Sequence, residues 1–248
     1  MNILITGSSS GIGLQLARDY LAHSHTVYCC CRSAASLKIL NSGFPNLAQI
    51  LCFDIQDRND CQDRLTELPA LDLVILNAGT CEYINANNFD SEMFERVVKT
   101  NLIGTANCLE FLIPKIKAGG SLALMGSSSS YLPLPRAEAY GASKAALEYL
   151  AKTLAISLKP NTISVSYIAP GFVRTPLTAL NDFPMPMSVT VEYASRKIRA
   201  GLSKQKPEIH FPVCFTWTLK IIRALPFNIQ KFLIGKLLQP SYSKMRSS

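Results

Sequence analysis

The stretch from Asn2 to Leu21, NILITGSSSGIGLQLARDYL, changes its periodicity in the middle. Asn2–Thr6 is a short apolar run of the kind that forms a strand buried on both faces, whereas Ile12–Ala22 repeats its apolar residues at helical spacing. Between them stands Thr6-Gly7-Ser8-Ser9-Ser10-Gly11-Ile12-Gly13. Glycines at 7, 11 and 13 suit a tight turn, a close backbone approach to a ligand, and packing of the new helix on the strand. The helix's free N–H groups and positive end then face an anion, with Ser9, Ser10, Gly11 and Ile12 around it. A lone glycine-rich turn says little; one placed between a first strand and a first helix says much more.

The same alternation continues along the chain. Thr26–Cys31, Ala48–Phe53, Asp72–Asn77, Ser121–Met125 and Thr162–Ala169 read as further buried strands, and Phe89–Leu112 and Glu138–Leu158 as helices. Strands that are apolar almost throughout, alternating with helices, predict an α/β fold: a doubly wound parallel sheet with helices on both faces. In such sheets ligands bind outside the carboxyl ends of the strands, so functional residues are expected just after each strand.

After the second strand come Arg32 and Ser33. An acidic residue there would bond the ribose hydroxyls of NAD and repel an added phosphate; arginine instead offers a forked cation to the 2′-phosphate of NADP. The competing reading is a solvated strand-end arginine. After the third strand, the Asp54 carboxylate can accept from an adenine amine while Ile55 covers the ring, although an Asp capping a helix reads almost as well. After the fourth, Asn77, Ala78 and Gly79 are small enough for backbone to lie along a ligand.

Bulk properties agree with one large α/β domain. The chain has 248 residues, 48% of them apolar and 17% charged, so it is no disordered chain. Its eight cysteines include no CxxC pair, and only three histidines are present, so free buried thiols in a reducing cytosol are expected and no metal site is. Met1 runs straight into a strand pattern without a basic n-region, so no signal peptide is expected. Of the net charge of +8, residues 196–248 supply the excess: 11 Lys and Arg against the single acid Glu208, leaving 14 basic against 16 acidic residues in 1–195.

In Gly126–Lys144, GSSSSYLPLPRAEAYGASK, Tyr140 and Lys144 are four residues apart on a helical pattern and so share one face. A free tyrosine, with a pKa near ~10, is a poor acid at neutral pH, and a neighbouring ammonium is expected to lower that value. Tyr131 has no such partner, because Pro135 stands four residues on. TGSSSGIG, NAG, Asn101 in KTNLIG, a serine thirteen residues before YGASK, and PGFVRT together resemble the short-chain dehydrogenase/reductase family, in order and spacing over residues 1–178.

That resemblance implies a Rossmann-type fold and a catalytic set of Asn101, Ser127, Tyr140 and Lys144. Tyr140 would be the proton donor. Lys144 would tune it and bond the nicotinamide ribose, so that both also belong to the cofactor site. Ser127 would hydrogen-bond the substrate oxygen, and Asn101 would hold a water that relays protons from Lys144. Pro170, Val173 and Thr175 of PGFVRT would hold the nicotinamide carboxamide. Residues 176–200 would form a substrate lid whose Leu177, Leu180, Phe183, Met185, Pro186 and Met187 favour apolar substrates.

The expectation is therefore an NADP(H)-dependent oxidoreductase of carbonyl-reductase type, acting on a small carbonyl or alcohol. The alternatives are an NAD-preferring alcohol dehydrogenase, or a catalytically idle dinucleotide sensor or membrane-surface scaffold. Residues 1–206 would be the catalytic domain and 207–248 an extension split by Pro226. Its Trp217, Leu219, Ile222, Phe227, Phe232, Leu233 and Leu237 alternate with Lys220, Arg223, Lys231 and Lys236. Such a segment packs on the body, on a partner subunit of a homo-oligomer, or on an anionic membrane surface through residues 207–240. A cytoplasmic location, peripheral to a membrane in the last case, follows; nucleic acid is not an expected partner.

Overall fold

The computed structural model of the chain describes residues 1–33 and 37–242, with the side chains of all but 38, 39, 41 and 237–242. The side chain of Leu237 in the apolar tail row, and residues 243–248 of the extension, lie outside that description.

Seven strands form one parallel sheet. They are β1 (Asn2–Thr6), β2 (Thr26–Cys31), β3 (Ala48–Cys52), β4 (Leu71–Leu76), β5 (Ile116–Met125), β6 (Ser164–Pro170) and β7 (Glu208–Phe211). Their order across the sheet is β3-β2-β1-β4-β5-β6-β7, with every neighbouring pair parallel. The chain winds outward from β1 in one direction to β3, then from β4 in the other. The reversal between β1 and β4 opens a crevice at the carboxyl edge.

Both faces of the sheet are covered. One carries α1 (Gly11–Ala22), α2 (Lys38–Gly43) and α7 (Val191–Leu202); the other carries α3 (Arg58–Leu65), α5 (Gly104–Leu112), α6 (Glu138–Ser157) and α8 (Val213–Arg223). Strand residues alternate between the two cores: Ile3 and Ile5 face the first, Leu4 the second. This two-sided burial is why the strands are apolar at nearly every position. Cys29 and Cys31 fill the first core, Cys30 the second, and burial pushes the Cys29 thiol up to about 12.

The helical pattern over 89–112 is interrupted. α4 (Ser91–Val98) passes through a wide π turn, Lys99–Ile103, into α5, and Asn101 sits in that turn. Two boundaries differ from expectation. Residues 176–200 are irregular only as far as Thr190, which caps α7 by accepting from Tyr193 N–H; α7 then packs on α1 through Ala194, Ile198 and Leu202 rather than over a substrate. The division expected at 206/207 falls inside the sheet, because β7 pairs with β6 and Phe211 is fully buried. Beyond it, Leu219 and Ile222 of α8 join the core of α6, and Pro226 separates α8 from α9 (Phe227–Tyr242).

Candidate active site at the carboxyl edge of the sheet

At the end of β1 the chain turns on Gly7 (φ 67°) and Gly11 (φ 54°), a backbone region that suits glycine. Space is as restrictive as angle. A Cβ on Gly7 would stand 2.8 Å from Ala78 Cα, and one on Gly13 would stand 2.2 Å from Gly7 O. Thr6 Oγ1 accepts from the N–H groups of Asn77 (2.9 Å) and Ala78 (3.0 Å), while Asn77 Nδ2 donates to Thr6 O (3.0 Å) and Gly7 O (3.2 Å). The ends of β1 and β4 are thereby fixed together. Ser8 turns inward, donating to Ile5 O at 2.6 Å, so it is the serine that builds the turn. Ser10 caps α1 with its backbone alone, which leaves the first N–H groups of the helix to an outside acceptor.

A cavity of about 720 Å³ runs from this turn along the strand ends. It gathers Gly7, Ser9, Ser10, Gly11, Ile12, Arg32, Asp54, Ile55, Asn77, Ala78, Gly79, Ser127, Tyr140, Lys144, Pro170, Val173 and Thr175 of the expected residues; Gly13, Ser33 and Asn101 stand outside its lining. Arg32 is exposed at the rim. Asp54 is not a helix cap: Asp57 caps α3, accepting from Asn59 and Asp60 N–H, while Asp54 Oδ1 accepts from Gln56 N–H at 2.9 Å. Ile55 is held against Gly104, where a Cβ would come within 2.7 Å of it.

At the far end lie the groups with chemistry. Ser127 follows β5, and its Oγ accepts from Ser129 N–H at 3.1 Å at the start of a short turn over Ser128–Ser130. One turn apart on α6, Tyr140 and Lys144 meet, with the ammonium 5.6 Å from the ring centroid. Lys144 is 3% exposed and donates to Met125 O at 2.9 Å. Burial holds it down to about 8, against a weaker opposing effect of the Cys81 thiol. The Tyr140 phenol is raised above its ordinary value, chiefly by burial and also by Cys81, while a hydrogen bond with Ser127 pulls it back. The lowering expected from the ammonium is not among these effects, and desolvation sets the direction.

Asn101 is fully buried. Its Oδ1 accepts from Thr80 N–H (2.8 Å) and its Nδ2 donates to Thr80 O (2.9 Å) and Ser143 Oγ (3.0 Å). The Asn101 side chain thus ties the loop after β4 to α6. Thr178 does similar work in the loop after β6, donating to Val173 O (2.6 Å) and accepting from Thr175 N–H (2.9 Å). Leu177 and Leu180 line the cavity, whereas Phe183 packs edge-on against Tyr83 and Phe172 and Met187 is exposed. Sequence reasoning missed Cys81, and it missed the Glu82–Arg96 ion pair (3.0 Å) in the cavity wall. The only signal for Cys81 and Glu82 was their position just after NAG. Tyr131, by contrast with Tyr140, is a core residue that donates to Glu208.

Residues 1–182 match the family described as short chain dehydrogenase. The chain belongs to that family. An uncharacterized oxidoreductase of Myxococcus xanthus is 29% identical over 252 residues, 98% of this chain and 96% of that one. A short-chain dehydrogenase from Streptomyces avermitilis has the same fold, with a TM-score of 0.79 at 22% identity over 100% of this chain and 97% of that one. Another, from Sphingobium yanoikuyae and solved in complex with NADPH, gives 0.75 at 23% identity over 86% and 88%. This short-chain dehydrogenase is thus an oxidoreductase on a Rossmann-type sheet. Among its described residues no helix is long and apolar enough to cross a membrane.

Proposed function

We propose that the chain is an NADP(H)-dependent reductase that transfers a hydride between the nicotinamide and a carbonyl or secondary alcohol of an apolar small molecule. The observation that carries this reading is one cavity with two unlike ends: a glycine cradle with Arg32 at one, and Ser127, Tyr140 and Lys144 at the other.

The residues fit a dinucleotide. The turn at Gly7–Gly13 admits no side chain at two of its glycines, and the uncapped start of α1 suits a pyrophosphate. Arg32, with Ser33 beside it, suits a 2′-phosphate; Asp54 and Ile55 suit the adenine; Asn77, Ala78 and Gly79 lie along the middle. Pro170, Val173 and Thr175 suit the carboxamide. When bound, the nicotinamide supplies or accepts the hydride.

The rest is done by the chain's own groups. Ser127 Oγ donates to the substrate oxygen and stabilises negative charge as it develops there. Tyr140 gives that oxygen its proton. Its phenol is held protonated by burial, so it is a donor in the resting site, and the Lys144 ammonium stabilises the phenolate that remains. Asn101 keeps Thr80 and Ser143 fixed around Lys144. Leu177 and Leu180 favour an apolar substrate.

The test is oxidation of NADPH, and of NADH in parallel, against a panel of aldehydes, ketones and ketosteroids. Turnover of apolar carbonyls with NADPH supports the proposal. Consumption of neither nucleotide with any of them, or equal use of both, contradicts it.

A further inference from the structure

Behind the Ser127 loop runs a line of polar contacts that ends on α8. Tyr167 of β6 is 2% exposed, and its hydroxyl accepts from Ser127 N–H at 3.2 Å. Its single hydrogen has three acceptors in reach: Ser130 Oγ (3.0 Å), Lys144 O (3.2 Å) and Ser127 O (3.3 Å). The phenol therefore touches the backbone of both Ser127 and Lys144. Ser130 in turn stands beside the carboxylate of Glu148 and, with Lys152 and Arg223, helps hold it below the ordinary carboxylate range. Glu148 is 4% exposed, and Arg223 Nη1 of α8 reaches both its oxygens (2.9 and 3.1 Å) while Lys152 reaches one (2.6 Å).

The line has a direction. Ser127 N–H points to the Tyr167 oxygen, the nearest acceptor for the Tyr167 hydrogen is Ser130 Oγ, and the anionic Glu148 lies beyond it. A charge at the end of such a line polarises each hydroxyl along it, which makes the Tyr167 oxygen a better acceptor for Ser127 N–H. The residue before the serine fits the same arrangement. A Cβ on Gly126 would stand 2.1 Å from Cε2, Cζ and Oη of Tyr167, so the strand end passes over this ring only as glycine. α8 is fixed to the same region at a second point, where Lys220 donates to Glu208 at 2.6 Å and Glu208 accepts from Tyr131.

We infer that Tyr167 is a positioning residue for Ser127, and that Arg223 of α8 belongs to the same clamp, acting through Glu148 and Ser130. The inference rests on the assignment of Ser127 as the catalytic hydroxyl. Its consequence is that α8, far along the chain from the cavity-lining motifs, helps set where the serine hydroxyl stands. Misplacement of a reacting group by a fraction of an ångström slows a reaction without removing any group that reacts.

Tyr167→Phe keeps the ring and removes the hydroxyl. Amide hydrogen exchange should quicken about tenfold over 127–131, the scale of one lost hydrogen bond. NADPH affinity, read by quenching of protein fluorescence, should be unchanged. With the carbonyl compound turned over fastest in the panel, kcat should fall about tenfold and KM little. The deciding comparison repeats the substitution in Ser127→Ala, where kcat should fall no further, because there is no hydroxyl left to place. Ser130→Ala, which leaves the ring and the fold undisturbed, should show the same pattern more weakly.

Unchanged exchange, or a loss of kcat as large in Ser127→Ala as in the natural chain, overturns the clamp. If Ser127→Ala slows turnover and Tyr167→Phe does not, the clamp alone falls. If Ser127→Ala turns over normally, the serine's assignment falls and the clamp with it.

Discussion

The two lysines that bracket the serine loop are treated in opposite ways. Lys220, on the inner side of α8, is paired with Glu208 at 2.6 Å and covers the Tyr131 ring at 5.2 Å. Lys144, more deeply buried, has only the carbonyl of Met125 as a hydrogen-bond acceptor among the described residues. The same holds for the regions around them. α8 satisfies its cations on protein carboxylates and its apolar side chains in the core, whereas the carboxyl edge of the sheet leaves small residues, an uncapped helix start and Arg32 facing a cavity. A buried ammonium without a counter-charge is unfavourable for folding, and such groups persist where chemistry requires them. The helix end is built for packing, and the strand ends for a ligand.

The sharpest way to separate the regions is to remove one hydroxyl from each. Ser127→Ala should lower kcat by roughly 10²–10³, as loss of a donor to a developing oxyanion does, with NADPH affinity kept. If Ser128→Ala or Ser130→Ala proves the more damaging, the serine has been misassigned.

Next in size is the stability linked to Lys144. Its folded value of about 8 lies below the 10.5 of an unperturbed lysine, so between those pH values the unfolded state holds a proton that the folded state has lost. Stability from this group therefore rises with pH across that window and is flat on either side. The stabilisation gained by Lys144→Met, measured by urea unfolding, should be largest at pH 7 and shrink by on the order of 3 kcal/mol towards pH 10.5. A gain independent of pH would show that the ammonium is not desolvated. In the same direction, carbonyl reduction should slow as Lys144 deprotonates above pH 8 or so.

Arg32→Asp should weaken NADPH binding by about 1.5–3 kcal/mol, the range for hydrogen bonds to charged groups, and leave NADH unchanged or improved. Equal losses for both would return Arg32 to a solvated strand end. Smallest of all, Tyr131→Phe should cost about 1 kcal/mol of stability through the lost bond to Glu208, with kcat and KM unchanged. An effect on turnover would blur the contrast between Tyr131 and Tyr140.

Much of this layout can be read in the chain itself, for a physical reason. Strands buried on both faces are apolar without interruption, so β1 and β2 fall where the pattern places them, and the rule for strand ends then points at the cavity. β5 begins earlier than its apolar run because Ile116 pairs with Leu71 ahead of a register shift, and Lys117–Gly120 separate it from the pairs that resume at Ser121. α3, RNDCQDRL, buries only Cys61 and Leu65 and shows no helical stripe. The groups that sequence reasoning missed are those brought in by tertiary packing. Cys81 and Glu82 lie beside a recognisable motif but carry no spacing of their own. Tyr167, within an apolar strand, looks like any other core residue until Gly126 is seen to pass over its ring.

The central claim is that the cavity performs hydride transfer with Tyr140 as the proton donor. Its most direct test is Tyr140→Phe, assayed for NADPH binding by fluorescence titration and for turnover of the best carbonyl of the panel on the same preparation. The account predicts an NADPH affinity close to that of the natural chain, an unchanged unfolding temperature, and no measurable turnover. Turnover that survives the substitution, or activity lost together with nucleotide binding or with the fold, would contradict it.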